Sequence, residues 1–251
     1  MFSLKGKRAL VTGGSRGIGA AIARTLAEAG ADVCIGYRKR TKDAKTVVGQ
    51  CKAMGVKAAA FASDIGTTVG AEKLIVHTVK ELGGLDIFVG NAGIWPVEEI
   101  PAADMADDRW RRTMRENVDS MFYTTRAALK VMDPGGRVVL IASTAGQRGE
   151  AMHSDYGASK GAMIAFVKSI AIEVAGQGIT VNAVAPGWVD TEMCDIPYAD
   201  GGKARISAGI PVGRVASPED IAFPTAFLCT DEARHITGEI LNVNGGSVLC
   251  G

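Results

Sequence analysis

Tyr156 and Lys160 stand four residues apart in DYGASKGAMIAF (Asp155–Phe166), a spacing that places two side chains on one face of a helix. A phenol is a poor acid or base at neutral pH, and an ammonium one turn away can lower its pKa electrostatically. Such a pair could release and regain a proton at a reacting carbonyl or alcohol. The pair is common on its own, so the rest of the chain decides its meaning.

A second signature lies near the start. TGGSRGIG (Thr12–Gly19) follows the apolar run RALVT and opens the helical pattern GIGAAIARTLAEAG. Its glycines, Gly13, Gly17 and Gly19 among them, permit a tight turn and close backbone approach to a pyrophosphate resting on the helix N-terminus. Ser15, Arg16 and Ile18 share that loop. In an NAD site, an acidic residue about 20 positions onward binds the ribose 2′-hydroxyl. Here the second apolar run ends Gly36-Tyr37-Arg38, followed by Lys39 and Arg40. A 2′-phosphate would find guanidinium partners there, and Arg16 can approach the same phosphate. The implied cofactor is NADP(H) in preference to NAD(H).

The elements that must hold these groups alternate along the chain. Short β-branched runs (RALVT, DVCIGY, KAAAFA, LDIFVGN, RVVLIAS, TVNAVAP, EILNV) alternate with helical patterns. A long helix is expected around Trp110–Met132, the catalytic one over Tyr156–Ala175, and another near Pro218–Leu228. Runs apolar throughout are buried on both faces, which predicts an α/β doubly wound fold with a mostly seven-stranded parallel sheet. Residues 1–251 read as one Rossmann-type domain, without linker or repeat. Val189–Pro211 breaks the rhythm after a strand end and is expected to form a substrate lid.

Composition narrows the classes. Lys+Arg 28 against Asp+Glu 27 gives a net charge of +1, which argues against nucleic acid as a partner. Cys34, Cys51, Cys194, Cys229 and Cys250 are widely spaced, and with three histidines they form neither a disulfide framework nor a metal site. MFSLKGKRALVTGG lacks a signal-like apolar stretch and no later run reaches membrane-spanning length. A cytoplasmic protein with no membrane contact is expected.

Further motifs occur in a fixed order: GNAG (Gly90–Gly93), Asn117 in a helical run, Ser143 after a strand, Tyr156-x-x-x-Lys160, PGWVDT (Pro186–Thr191) and ITGEILNVNGG. Together with TGGSRGIG they resemble the short-chain dehydrogenase/reductase family over essentially the whole chain. One departure is Gly90 where that family commonly has asparagine, although Asn91 is retained. The resemblance implies catalytic roles for Asn117, Ser143, Tyr156 and Lys160. Tyr156 would protonate the carbonyl oxygen as hydride arrives, and Lys160 would hold the nicotinamide ribose. Ser143 would hydrogen-bond the substrate oxygen, and Asn117 would hold a water linking Lys160 to solvent. The resemblance also implies cofactor contacts at Asn91, Ala92 and Gly93, and at Asp64 and the Ile65 backbone near the adenine. Ile18 would lie under the nicotinamide. Pro186, Gly187, Val189 and Thr191 would line it, Thr191 meeting the carboxamide.

Within that family, the C-terminal half is most similar to β-ketoacyl-acyl-carrier-protein reductases. Those enzymes dock an acidic carrier protein through basic residues whose positions fall here at Pro134 and Ile172. Both charges are missing, which argues against a carrier partner; Arg111, Arg112 and Arg115 are candidate replacements. Trp95, Met152, His153, Trp188, Met193 and Tyr198 are expected near the substrate, and as a set they point to a small or medium apolar ketone. The expected activity is NADPH-dependent reduction of such a ketone to a secondary alcohol. Two alternatives are a β-ketoacyl-acyl-carrier-protein reductase of fatty-acid synthesis and a non-catalytic dinucleotide-sensing module. The joint presence of Asn117, Ser143, Tyr156 and Lys160 argues against the sensor. Members of the family are usually tetramers, so a homotetramer is expected. The apolar face Met163, Phe166, Val167 and Ile170 is a candidate contact.

Overall fold

Apolar runs of four to seven residues become parallel strands: β1 (Arg8–Thr12), β2 (Asp32–Tyr37), β3 (Ala58–Ala62), β4 (Ile87–Gly90), β5 (Arg137–Ile141), β6 (Thr180–Pro186) and β7 (Ile240–Val243). They form one sheet in the order β3-β2-β1-β4-β5-β6-β7. The computed structural model describes residues 3–249, and Cys250 lies outside the described residues. Between the strands run α1 (Gly17–Glu28), α2 (Thr41–Ala53), α3 (Thr68–Leu82), α4 (Asp107–Met114) and α5 (Ser120–Leu129). There follow α6 (Thr144–Arg148), α7 (Ser154–Val174), α8 (Asp195–Tyr198), α9 (Gly202–Ala208) and α10 (Pro218–Leu228).

Each central strand feeds two cores, because successive side chains leave opposite faces. Ala9 and Val11 of β1 pack with Ile22 of α1, Val47 of α2 and Ile221 of α10. Leu10 packs on the other side with Leu74 of α3, Met121 of α5 and Val167 of α7. All residues of β5 and β6 are buried, whereas β7 at the sheet edge is only half-buried. Capping adds local definition. Ser217 and Asp220 form a reciprocal capping box at α10, with Pro218 in its first turn, a pattern that satisfies two of the helix's orphan donors.

Strand order reverses between β1 and β4, opening a crevice at their carboxyl ends, where α/β sheets hold their ligands. The glycine loop, GNAG, Ser143 and the PGWVDT segment all fall at this edge.

Two sequence expectations need correction. The long helix around Trp110–Met132 is interrupted by a π-helical turn over Arg115–Asp119, which separates α4 from α5. Met163, Val167 and Ile170 are 1%, 0% and 5% exposed and belong to the chain's own core, whereas Phe166, the fourth residue of that face, is half-buried and packs edge to face with Phe122. Outward apolar side chains on α4, α5 and α7 include Trp110, Phe122 and Ile172. The segment 189–211, expected as a lid, carries a 3-10 turn (Glu192–Cys194), α8 and α9. Its base is pinned, because Asp190 N–H donates to Ala216 O at 2.8 Å and Ala216 N–H to Trp188 O at 2.9 Å.

Candidate active site

A cleft of about 490 Å³ runs from the glycine loop to Tyr156. At its first end, Gly17 opens α1 with φ +52, a conformation glycine adopts without steric cost. A Cβ on Gly19 would stand 2.4 Å from Gly13 O and 2.5 Å from Asn91 Nδ2, so only glycine permits this close packing. Asn91 Nδ2 donates to Thr12 O at 3.0 Å, and Thr12 Oγ1 accepts from the Asn91 and Ala92 N–H groups. Asn91 therefore locks the end of β4 to the glycine loop. Gly13, Ser15, Arg16, Gly17, Ile18 and Gly19 all line the cleft. A glycine turn whose following helix begins in the cleft fits a pyrophosphate.

Next to it, Tyr37, Arg38, Lys39 and Arg40 form the wall expected to meet a ribose phosphate. In this structure the guanidiniums are already engaged. Arg38 Nη1 holds both oxygens of Glu116 at 2.7 Å. Glu192, on the 3-10 turn beyond the glycine loop, accepts from Arg16 and from Arg40 Nη2, the latter at 2.9 Å. Asp64 pairs with Arg115. Burial works to raise the Asp64 pKa, but the Arg115 guanidinium and Gly66 N–H outweigh it and hold the carboxyl below its ordinary range. Ile65 lines the cleft beside it. Neither Glu116 nor Glu192 was legible as a partner, because both lie far from Arg38 and Arg16 in sequence.

At the second end, Ser143 caps α6, its Oγ accepting Ala145 N–H at 3.1 Å, and it lies near enough to Tyr156 to influence the phenol. Burial pushes the Tyr156 phenol above its ordinary pKa, Ser143 pulls it back in part, and the charge of Glu150 adds to the rise. The shift is thus upward, whereas the Tyr156–Lys160 spacing alone predicted a lowered phenol. Lys160 lies in the cleft with Nζ 5.8 Å from the Tyr156 ring centre and donates to Ile141 O at 2.7 Å. Burial lowers its pKa to about 8. Asn117 is completely buried in the π turn. Its Oδ1 accepts Ile94 N–H at 2.8 Å, and its Nδ2 donates to Ile94 O and Ser159 Oγ, each at 3.0 Å. The amide ties the 94 loop to α7, a positioning role that its neighbours in sequence did not disclose.

Asp155, the neighbour of Tyr156, was not singled out by sequence. It is fully buried and takes Thr113 Oγ1 at 2.7 Å and Arg109 Nε at 3.2 Å. This anchor fixes the start of α7 against α4 and so sets where the phenol points.

The expected substrate residues divide. Trp95, Trp188 and Met193 line the cleft with Pro186, Gly187, Val189, Thr191 and Cys194; Ala92 and Gly93 line its floor. Met152 and His153 do not line it. Met152 is 44% exposed and serves the loop, its carbonyl accepting Ile100 N–H at 3.0 Å. His153 is buried behind Trp95, with ring centres 5.0 Å apart. Tyr198 packs against Trp188, and its hydroxyl donates to Val189 O. Arg148 and Glu150 line the cleft as well, so its walls are not solely apolar.

A glycine-turn cleft at a strand-order reversal, leading to a serine, tyrosine and lysine, defines a Rossmann-type nucleotide-cofactor oxidoreductase fold. A family model described as enoyl-(acyl carrier protein) reductase matches residues 13–247. The chain is 40% identical over 250 residues to the 3-oxoacyl-[acyl-carrier-protein] reductase of Salmonella typhimurium, covering 99% of this chain and 100% of that one. It is 39% identical over 256 residues to versicolorin reductase 1 of Aspergillus parasiticus, covering 97% of each. A short-chain dehydrogenase from Burkholderia cenocepacia, solved in complex with NADP, has a TM-score of 0.91 at 38% identity, covering 97% of this chain and 98% of that one. The chain belongs to the short-chain dehydrogenase/reductase family, as its motif order implied. No helix among the described residues is long and apolar enough to cross a membrane.

Proposed function

We propose that this protein is an NADP(H)-dependent carbonyl reductase that converts a ketone to a secondary alcohol. The observation that carries the reading is the single cleft shared by the glycine loop, Arg16 and Arg38 at one end and Ser143, Tyr156 and Lys160 at the other. Bound NADPH would supply the hydride. The residues would do the rest. Ser143 Oγ accepts from Ala145 N–H, which leaves its O–H to donate to the substrate oxygen, a bond that strengthens as charge develops there. Tyr156, kept protonated by its raised pKa, would give its proton to that oxygen. Lys160 spends one N–H on Ile141 O and has two left for ribose hydroxyls and proton resupply. Asn117 would act by positioning, holding the 94 loop and α7 in register. The 189–211 segment would close over the substrate, and a homotetramer in the cytoplasm completes the reading.

A 3-oxoacyl thioester is the second reading, favoured by the 40% identity to a 3-oxoacyl-[acyl-carrier-protein] reductase. Carrier docking is weakly supported by charge. Ile172 is 83% exposed where a basic residue is expected, Arg111 pairs with Asp107 and Arg115 with Asp64 and Glu116. The test is NADPH oxidation with acetoacetyl groups on carrier protein, on coenzyme A and as the ethyl ester. Equal or better rates on the ester support the small-ketone reading, and a strong carrier preference replaces it with the second. In either case Tyr156→Phe should still bind NADPH and lose nearly all turnover; near-normal turnover overturns the assigned acid.

A further inference from the structure

Among the described residues four carboxylates line the cleft: Asp64, Glu116 and Glu192 pair with arginines, and Glu150, which lines it with Ser143, Tyr156, Trp95 and Trp188, does not. A strained loop puts it there. Gly149 has φ +75 and Met152 φ +65, the second a left-handed conformation costly for a residue with a long side chain. His153 N–H donates to Glu150 O at 3.2 Å and Ile100 N–H to Met152 O at 3.0 Å, which ties this turn to the segment after Trp95. The Glu150 carboxyl is half-buried, and burial raises its pKa; His153, Arg148 and the Trp95 indole N–H act in the opposite sense, favouring its charge. Among the described residues the carboxylate makes no ion pair, and with one indole N–H as partner a carboxylate keeps further acceptor capacity. Beside it stand two indoles edge to face, Trp95 and Trp188, with ring centres 5.9 Å apart, forming an aromatic wall suited to a flat ring.

We infer that Glu150 is a specificity residue that accepts a hydrogen bond from a hydroxyl group on the substrate, so that the preferred substrates are hydroxylated cyclic ketones. The inference rests on the carbonyl-reductase reading and refines its substrate class. Ser143 and Tyr156 take the reacting carbonyl, the indoles take the ring, and Glu150 takes a donor further along it. A carboxylate in this place also disfavours anionic substrates. A site built to hydrogen-bond a substrate group discriminates strongly against the analogue lacking it, because a buried polar group is otherwise left without its partner.

The experiment measures NADPH-dependent kcat/KM for 1-tetralone and for its 5-, 6- and 7-hydroxy derivatives, with the natural enzyme, E150L and E150Q. Taking each hydroxylated-to-plain ratio relative to E150L cancels intrinsic carbonyl reactivity. At least one hydroxylated isomer should be favoured by the natural enzyme about tenfold or more over E150L in this ratio, expressed mainly in KM. E150Q retains an acceptor oxygen and should keep part of the preference. If all three proteins give the same ratios for every isomer, the inference falls while the carbonyl-reductase reading stands. A loss that is equal for plain and hydroxylated ketones also overturns it, since Glu150 would then serve only the loop or Tyr156. Failure of the natural enzyme to consume NADPH with these and with simple ketones sinks both.

Discussion

Glu192→Gln should tighten NADPH binding. In the structure the Glu192 carboxylate pairs with both Arg16 and Arg40, two guanidiniums proposed to receive a ribose phosphate. A 2′-phosphate must displace it. All three side chains are about half exposed, at 49%, 51% and 52%, so each ion pair contributes only about 0.5 kcal/mol after solvent screening. Two such pairs give about 1 kcal/mol, or roughly a fivefold change in Kd. NADH has no 2′-phosphate and need not evict the carboxylate, so its affinity should change little. Fluorescence titration of both cofactors at low ionic strength reads the effect. In 0.5 M salt the gap between natural and variant protein should shrink, because exposed pairs are screened. Equal tightening for NADH and NADPH, or none for NADPH, would refute the displacement argument.

Three further outcomes follow from the same geometry. Arg38→Asp removes the guanidinium and sets a second carboxylate beside Glu116, so NADPH should lose about tenfold or more in kcat/KM relative to NADH; steady-state kinetics with both cofactors decides it. Lys160 titrates near 8 because it is buried, so ketone reduction should decline as pH rises through about 8. A profile flat to pH 9.5 contradicts that assignment. The same shift has a stability consequence. The folded chain gives up this proton more readily than the unfolded one, so Lys160 destabilises the fold below pH 8, and that penalty fades between pH 8 and the ordinary lysine range. Asp155→Ala leaves the buried Thr113 hydroxyl without its acceptor and Arg109 with only its Glu98 contacts, and should cost about 2 kcal/mol, read from urea unfolding.

What the sequence disclosed were features written in contiguous residues. The glycine loop, the Tyr156–Lys160 spacing and the alternation of apolar runs are local patterns, and each lies where it was expected. The final strand EILNV and the helix near Pro218–Leu228 were legible for the same reason. Partners distant along the chain were not. Glu192 reaches Arg16 across 176 positions and Asp155 reaches Arg109 across 46, and nothing in either neighbourhood marks the pairing. Glu150 sits in a turn whose direction is set by two left-handed residues, so no periodicity aims it at the cleft. The α7 face of Met163, Val167 and Ile170 misled because an inward stripe and an outward one share the same spacing. Only the position of the sheet tells them apart.

The π turn at Arg115–Asp119 has a consequence for how the two halves of the cleft can vary. A π turn amounts to one residue inserted into an α-helix. In this short stretch Arg115 and Glu116 hold Asp64 and Arg38 at the end of the cleft proposed for the cofactor's ribose, and Asn117 clamps the loop and helix at the end proposed for the reaction. Deleting one residue would restore a plain helix and swing α4 by about 100° relative to α5. Either the arginine-binding carboxylate or the buried amide would then face the wrong way. The inserted residue acts as a keyed coupling between two tasks, so changes in cofactor choice and in turnover should be inherited together at this turn.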